Sequence, residues 1–236
     1  GHLIHAQLKA SAITKLLQDV KTHFDNPGKM CWSLGNHDIL RLWSRFATHE
    51  NPKEAWRLLI AAYFCLEGYL CWYQGDELGL SEANIPLEQI QDPFGISFWP
   101  EFKGRDGCRT PMPWDKDLPE AGFTSGKAWL PVPPDQAARA VTVQEGDGNS
   151  LLEYTRACMK LRRDNPALQS GSTTLLETGR KMVGFIREKD GRKILCLFNF
   201  DEKNSHAFHY DLKKILFDRH TAKDTLLPYG VLIAEI

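Results

Sequence analysis

Apolar residues near the N-terminus recur with the period of an amphipathic helix. Five of them fall at i, i+3, i+4, i+7 and i+11 and share one helical face: Ile13, Leu16, Leu17, Val20 and Phe24. The sequence Asn26-Pro27-Gly28 follows and predicts the end of that helix. We therefore expect a helix before the first short apolar run.

Two short, mostly apolar runs come next, at residues 30–34 and 69–73. Between them, Asn51, Pro52 and Glu54 provide a helix cap, a proline at the first helical position and an acidic first turn, which together predict a helix start. Strand, helix and strand in this order are typical of a parallel crossover unit, and apolar strands are typical of parallel sheets buried on both faces. The sequence therefore predicts two neighbouring parallel strands.

The segment at residues 79–148 has no regular periodicity and holds nine of the thirteen prolines. A structureless loop of this length inside a compact domain is uncommon and is usually functional. After it, Ser150 and Glu153 have the spacing of a capping box. We expect a helix from there to the sequence Asn165-Pro166.

Beyond Pro166 the chain changes to short alternating or β-branched segments separated by turn sequences. These segments predict strands of an antiparallel sheet, near residues 173–176, 183–187, 194–198, 206–210 and 231–236. We therefore predict two domains, residues 1–165 with the parallel unit and the long loop, and residues 166–236 with the antiparallel sheet.

Composition argues against several classes of protein. The formal charge is −1, from 29 basic and 30 acidic residues, whereas nucleic-acid binding needs a net basic face. No run of about 18 apolar residues occurs, so a membrane span is not expected. None of the six cysteines has C-x-x-C spacing, which argues against a zinc cluster or redox pair and favours a reducing compartment. We expect a cytoplasmic protein that binds neither nucleic acid nor membrane.

Polar residues follow both predicted strands directly. Asn36, His37 and Asp38 follow the first strand, and Gln-Gly-Asp-Glu at residues 74–77 follows the second. Catalytic groups of α/β barrels and open sheets lie at such carboxyl ends of strands. The sequence therefore predicts a shared functional face, the alternative being that the Asn-His-Asp sequence only caps its own loop.

Two arginines four residues apart, Arg105 and Arg109, lie in the long loop. Guanidinium groups at this spacing could supply fixed donors to carboxylates or sugar hydroxyls. The alternative, which spacing alone favours, is that the two arginines form ordinary ion pairs with aspartates and only hold the loop in place.

Five sequence strings occur in a fixed order along the chain: SLGNHD, YQGDELGL, GRDGCRTPMPW, GF…AWLP and LRRDNPAL. With these strings the chain resembles the α-glucosidase and oligo-1,6-glucosidase group of glycoside hydrolase family 13, from about residue 8 to the C-terminus. GRDGCRTPMPW is the most specific of the five strings, because eight or more of its residues match the sequence of that family at fixed spacing.

The resemblance implies an α/β fold, the C-terminal portion of a TIM (β/α)8 barrel with its last strands and helices, followed by a small antiparallel β-sandwich domain. It implies that Asp38 is a catalytic carboxylate that stabilises the distorted sugar, and that His37 binds hydroxyls of the sugar in the cleavage subsite. Arg105 is expected to close the non-reducing side of the pocket, and Asn36 and Arg109 are further substrate-binding candidates. No cofactor is expected, and no metal site is evident.

The nucleophile and the general acid of this family belong to barrel strands that precede the Asn-His-Asp sequence. Only 35 residues precede Asn36 here, while a complete barrel takes roughly 250 residues. We therefore expect a C-terminal part of a retaining α-glucosidase, inactive alone, that needs an N-terminal barrel half or associates with itself. The expected substrates are α-glucosides such as malto-oligosaccharides, isomalto-oligosaccharides or sucrose.

Two alternatives stay open. One is a glucosyltransferase or isomerase of the same family, of the sucrose isomerase or trehalose synthase type. The other is a non-catalytic, carbohydrate-binding relative. The presence of His37, Asp38 and Arg105 argues against the second alternative, which has no chemical need for this set.

Overall fold

The computed structural model describes residues 9–236, which group into two compact units. The sheet unit contains the described residues up to Trp32, Thr48–Cys71 and Arg156–Ile236; the loop unit contains Ser33–Ala47 and Trp72–Thr155. Residues 1–8 of the predicted first domain lie outside the described residues. The predicted domain boundary at residue 165 stays a prediction.

The helices are α1 (Ala10–His23), α2 (Leu42–Phe46), α3 (Pro52–Phe64), α4 (Pro93–Ser97), α5 (Pro134–Ala137), α6 (Val141–Gln144), α7 (Leu151–Asp164) and α8 (Pro166–Ser170). The strands are β1 (Cys31–Ser33), β2 (Tyr69–Cys71), β3 (Ser172–Leu175), β4 (Met182–Lys189), β5 (Arg192–Asn199), β6 (His206–Ala207), β7 (Lys214–Ala222) and β8 (Thr225–Glu235). No helix within residues 9–236 is long and apolar enough to cross a membrane.

The predicted helix starts are confirmed by their caps. The Asn51 side chain accepts a hydrogen bond from the Glu54 backbone N–H at 3.4 Å, and Ser150 Oγ accepts one from Glu153 at 3.1 Å. Both caps satisfy a backbone donor that has no partner inside its own helix. Helix α1 forms as predicted but ends at His23, so Phe24 follows the last turn and is exposed rather than part of the helical face.

Strands β1 and β2 are hydrogen-bonded neighbours, but each is shorter than its apolar run. Within residues 9–236 the strands are not buried on both faces as predicted, because Cys31, Tyr69 and Cys71 are exposed while Trp32 is buried. Nothing in the described chain covers the face that carries these three residues.

Strands β3 to β8 form one antiparallel sheet with the order β3-β4-β5-β8-β6, and β7 also pairs with β8. One face packs into a cluster of seven buried residues: Met182, Leu195, Leu197, Phe208, Leu226, Leu232 and Ala234. Helices α1, α3 and α8 contact strands of the same sheet. Strand β7 was missed in the sequence because its residues are exposed or only half-buried and its apolar residues do not alternate with polar ones.

A fully buried arginine joins the sheet to the helices of the sheet unit. Arg187 on β4 donates from Nη1 to the Cys65 and Leu168 carbonyls, at 2.6 and 3.1 Å, and from Nη2 to the Gly171 carbonyl at 2.7 Å. The planar guanidinium group lets one side chain donate hydrogen bonds to three carbonyl groups near the C-terminal ends of α3 and α8. Arg187 is therefore an internal brace between β4 and the residues that end α3 and α8.

The loop unit is not structureless, which corrects the expectation for residues 79–148. It contains α4, α5 and α6 and several single 3-10 turns. It also has small cores of its own, Ala83, Ile85, Ile90 and Leu130 packed with Trp99, and Leu78, Leu80 and Leu152 packed with Met112 and Val141. This packing gives the segment with the two candidate arginines a fixed shape.

Candidate functional site

Asp38 lies in a tight turn just after β1. The Asn36 side-chain oxygen accepts a hydrogen bond from the Asp38 backbone N–H at 2.8 Å, the pattern of an Asx turn. This turn fixes the direction of the chain at Asp38, and the Asp38 side chain is 47 % exposed. The side-chain oxygen of Asn36, a predicted substrate-binding residue, is therefore engaged in shaping the loop.

Both candidate arginines reach one oxygen of Asp38. Arg105 Nη1 and Arg109 Nη2 each lie 3.0 Å from Asp38 Oδ1. Arg109 Nε also donates to the His37 carbonyl at 2.7 Å, and His37 Nε2 lies 3.4 Å from Asp38 Oδ2. The structure thus brings Asn36, His37, Asp38 and both arginines together in the loop unit.

The charges around Asp38 keep its carboxyl group ionised. Partial desolvation acts to raise the pKa of Asp38, but the hydrogen bonds from Arg105 and Arg109 and the electrostatic effects of His37 and Arg105 outweigh it, so the pKa is lowered. An ionised carboxylate with one oxygen engaged by arginines and the other near an exposed imidazole can accept hydrogen bonds from an incoming polar molecule.

A buried carboxylate, Asp92, fixes the position of Arg105. Its side chain is fully buried, and it accepts hydrogen bonds from Arg105 at the backbone N (2.8 Å), Nε (2.9 Å) and Nη2 (3.0 Å). The hydrogen bond from the Arg105 side chain is the main reason that the pKa of Asp92 falls to about 2. Because Nε and Nη2 bind Asp92, Arg105 donates to Asp38 from its third nitrogen, Nη1.

Sequence reasoning missed Asp92, although a signal for it exists. Asp92 precedes Pro93 and caps α4, and its Oδ1 accepts a hydrogen bond from the Phe94 backbone N–H at 3.3 Å. An Asp-Pro pair at a helix start predicts the cap. It does not predict that the same carboxylate binds an arginine thirteen residues later.

Gly104 of the GRDG string allows its backbone to approach the backbone of Gly95 closely. Gly104 has a φ of +76°, and a Cβ atom on it would lie 2.8 Å from the Cα of Gly95. Asp106 Oδ2 accepts hydrogen bonds from the backbone N–H groups of Gln91 and Asp92, at 2.6 and 2.8 Å. The string therefore builds the support for Arg105 rather than a separate binding loop.

The residues after β2 have structural contacts in the loop unit. The Gln74 side chain donates to the Thr110 carbonyl at 3.4 Å, and Glu77 accepts a hydrogen bond from the Trp72 indole at 3.0 Å. Asp76 is buried, and burial raises its pKa to about 7. Within residues 9–236, no three His, Cys, Asp or Glu side chains are grouped so that they could hold a metal ion.

Comparison with known proteins identifies relatives of the chain. A family model described as the catalytic domain of alpha amylase matches residues 2–171. A probable alpha-glucosidase of Rhizobium meliloti is 45 % identical over 177 residues, covering 75 % of this chain and 32 % of the relative. An oligo-1,6-glucosidase of Parageobacillus thermoglucosidasius is 30 % identical over 72 % of this chain and 34 % of its own length. The chain thus spans about a third of the curated relatives it matches.

Solved structures extend the likeness over nearly the whole chain. The α-glucosyl transfer enzyme XgtA is 36 % identical with a TM-score of 0.86, over 99 % of this chain and 45 % of XgtA. Trehalulose synthase MutB from Pseudomonas mesoacidophila MX-45 has a TM-score of 0.78 at 24 % identity, over 96 % of this chain and 46 % of MutB. The second likeness concerns the fold alone. Both matches include the antiparallel sheet as well as the helical segments.

Proposed function

Because this chain belongs to the α-amylase family of glycoside hydrolases, we propose that it is the C-terminal part of a retaining α-glucosidase. The whole enzyme releases terminal α-linked glucose from malto-oligosaccharides, isomalto-oligosaccharides or sucrose. The relatives named α-glucosidase and oligo-1,6-glucosidase support this substrate class. In this proposal residues 1–165 end a TIM barrel and residues 166–236 form a β-sandwich domain.

Asp38 acts in this proposal as the carboxylate that stabilises the distorted sugar. The observation that carries the assignment is its setting: a half-exposed carboxylate kept ionised by two arginines, one of which is fixed by a buried second carboxylate. A negative charge held in place before the substrate arrives stabilises positive charge that develops in an oxocarbenium-like transition state. His37 and Asn36 bind hydroxyls of the same sugar, and Arg105 and Arg109 border its pocket.

Two further carboxyl groups are needed for a retaining mechanism, one as nucleophile and one as general acid and base, roughly 5 Å apart. We assign both to a part of the enzyme outside these 236 residues, since the relatives are about three times as long as the matched region. That part, or a second copy of the chain, covers the exposed face of β1 and β2 that carries Cys31, Tyr69 and Cys71.

The test compares the isolated chain with the longer enzyme that contains it. The isolated chain is expected to leave p-nitrophenyl α-glucoside and maltose unhydrolysed. In the longer enzyme, Asp38→Asn is expected to lower kcat roughly a hundredfold or more with a smaller effect on KM. Asp201→Asn, which removes a carboxylate with a pKa of about 2 in the sheet unit, serves as the matched control.

A normal kcat in folded Asp38→Asn enzyme contradicts this role and favours a loop that only caps itself. Binding of maltose without any turnover by the longer protein favours the non-catalytic, carbohydrate-binding alternative. Thermal melting of each variant separates loss of folding from loss of rate.

Glucosyl transfer is the second candidate function. The 36 % identity with an α-glucosyl transfer enzyme over 99 % of the chain favours it. The ratio of free glucose to transfer product, measured with maltose alone and with an added alcohol acceptor, separates a hydrolase from a transferase. A ratio that stays on the side of glucose at high acceptor concentration argues for hydrolysis.

A further inference from the structure

A buried carboxylate, Asp76, packs against the residue that precedes the Asn36–Asp38 turn. Asp76 is 2 % exposed. A Cβ atom on Gly35 would lie only 2.8 Å from Asp76 Oδ2. Gly35 is not in the left-handed backbone region, so space rather than conformation requires a glycine there. Asp76 therefore contacts the backbone from which the turn at Asp38 begins.

Two arginines, one turn apart at the start and end of α2, bind carbonyl groups in the segments that follow β1 and β2. Arg41 Nη1 donates to the Gln74 carbonyl at 2.8 Å, just after β2. Arg45 Nη2 donates to the Leu34 carbonyl, just after β1. Each guanidinium thus binds a carbonyl at the point where one strand ends and its polar loop begins.

These arginines depend on a nearby negative charge because they are buried. Arg41 is 1 % exposed, and its Nε and Nη2 atoms have no hydrogen-bond acceptor among the described residues. Both Arg41 and Arg45 interact electrostatically with Asp76. Removing one partner of a buried charged group is strongly destabilising for the group that remains. Asp76 is therefore the acidic partner of these two buried arginines.

The charged and titratable groups that act on Asp76 include Arg41, Arg45, Glu77 and Tyr73. Burial raises the pKa of Asp76 to about 7; Arg41 and Arg45 act in the opposite direction, and Glu77 acts with burial. Burial thus outweighs the two arginines, so the folded chain holds the proton of this carboxyl group more strongly than water does.

We propose that Asp76 is a positioning residue for Asp38, acting through Gly35 and through the arginines that fix the ends of β1 and β2. It does not touch the sugar. It sets the direction in which the Asn36–Asp38 turn leaves the sheet, and a carboxylate displaced by a fraction of an ångström stabilises a transition state less well. This inference rests on the role proposed above for Asp38.

The experiment is a double-mutant cycle in the longer enzyme, with p-nitrophenyl α-glucoside as substrate. Asp76→Asn keeps the shape of the side chain and removes its charge. We expect kcat to fall about tenfold to a hundredfold while KM changes by less than about twofold. In the Asp38→Asn background, the same substitution is expected to change kcat by less than about twofold, because the residue through which Asp76 acts is already disabled.

Glu54→Gln is the matched control, since Glu54 is also a buried carboxylate paired with two arginines, Arg57 and Arg219, but in the sheet unit. It is expected to lower the melting temperature and leave kcat per folded molecule unchanged. If Asp76→Asn does not accumulate as folded enzyme, Gly35→Ala tests the same contact from the side of the loop, with the same loss of kcat and the same coupling to Asp38→Asn.

Two results overturn the inference: an unchanged kcat in folded Asp76→Asn enzyme, or an equal loss of kcat with and without the Asp38 carboxylate. The second result means that Asp76 acts independently of Asp38. Failure of the proposed function looks different, because Asp38→Asn alone then leaves kcat unchanged.

Discussion

Replacing the buried carboxylate that holds Arg105 is expected to destabilise the protein in a pH-dependent way. Asp92→Asn removes the charge that receives three hydrogen bonds from Arg105. The difference between an ordinary carboxyl pKa of 3.8 and one of about 2 corresponds to about 2 kcal/mol once solvent screening of the partly exposed Arg105 is allowed for. Loss of a charge-assisted hydrogen bond gives a similar value, about 1.5–3 kcal/mol.

The pH dependence follows from the direction of that pKa change. A carboxyl group whose pKa is lowered in the folded protein stabilises it above pH 3.8, and this contribution is lost as the pH falls through about 2. The free energy of unfolding of Asp92→Asn should therefore be lower than that of the wild type at pH 7 by about 2 kcal/mol, and the two should converge near pH 2.

Urea denaturation at pH 7, 4 and 2.5 measures this difference. Asp117→Asn is the surface control, because Asp117 is 77 % exposed and forms a surface ion pair with Lys116; its effect should stay within about 0.5 kcal/mol. Equal stabilities of the wild type and Asp92→Asn at pH 7, or a difference that persists undiminished at the lowest pH, would refute the reasoning.

Three further predictions concern other parts of the chain. Gly104→Ala should lower the melting temperature more than Gly146→Ala, because both glycines have a φ near +76° but only Gly104 has a backbone atom within 3 Å of the added carbon; equal losses would exclude close approach as the cause. Arg187→Lys should lower the free energy of unfolding by about 2–4 kcal/mol in urea denaturation, since a lysine ammonium group cannot donate to the same three carbonyls as the planar guanidinium group. Arg180→Lys, at an exposed position, should leave the stability unchanged. Similar effects of the two substitutions would contradict the structural role of Arg187. Because the pKa of Asp76 is raised to about 7, its contribution to stability is present below pH 3.8 and lost as the pH rises through 7; Asp76→Asn should flatten stability between pH 4 and 7, and an unaltered slope in thermal melts would disprove this.

Local signals in the sequence predicted those elements that depend on local contacts. The caps at Asn51 and Ser150 form because a side-chain oxygen three residues before a backbone N–H is close enough to bind it whatever the rest of the chain does. Short helices such as α4 and α5 escaped prediction because four or five residues are too few to show a period. Strand β7 escaped because a partly exposed edge strand needs no alternating apolar pattern.

The candidate site could be predicted only in part, for a physical reason. Asn36, His37 and Asp38 are adjacent in the chain and follow an apolar run, so their grouping is visible in the sequence. The pairing of Asp92 with Arg105 and the packing of Asp76 against Gly35 are tertiary contacts. They depend on where loops with their own small cores place two distant segments, and no periodic pattern encodes that placement.

The two exposed cysteines on β1 and β2 make it possible to detect by thiol labelling whether another polypeptide covers these strands. Of the six cysteines, Cys31 and Cys71 are exposed on these neighbouring strands, and the other four are buried. A maleimide should therefore label two thiols per folded chain and the remaining four only after unfolding. When another polypeptide covers the strands, the labelling stoichiometry should fall below two, so mass spectrometry of the labelled chain would follow assembly directly.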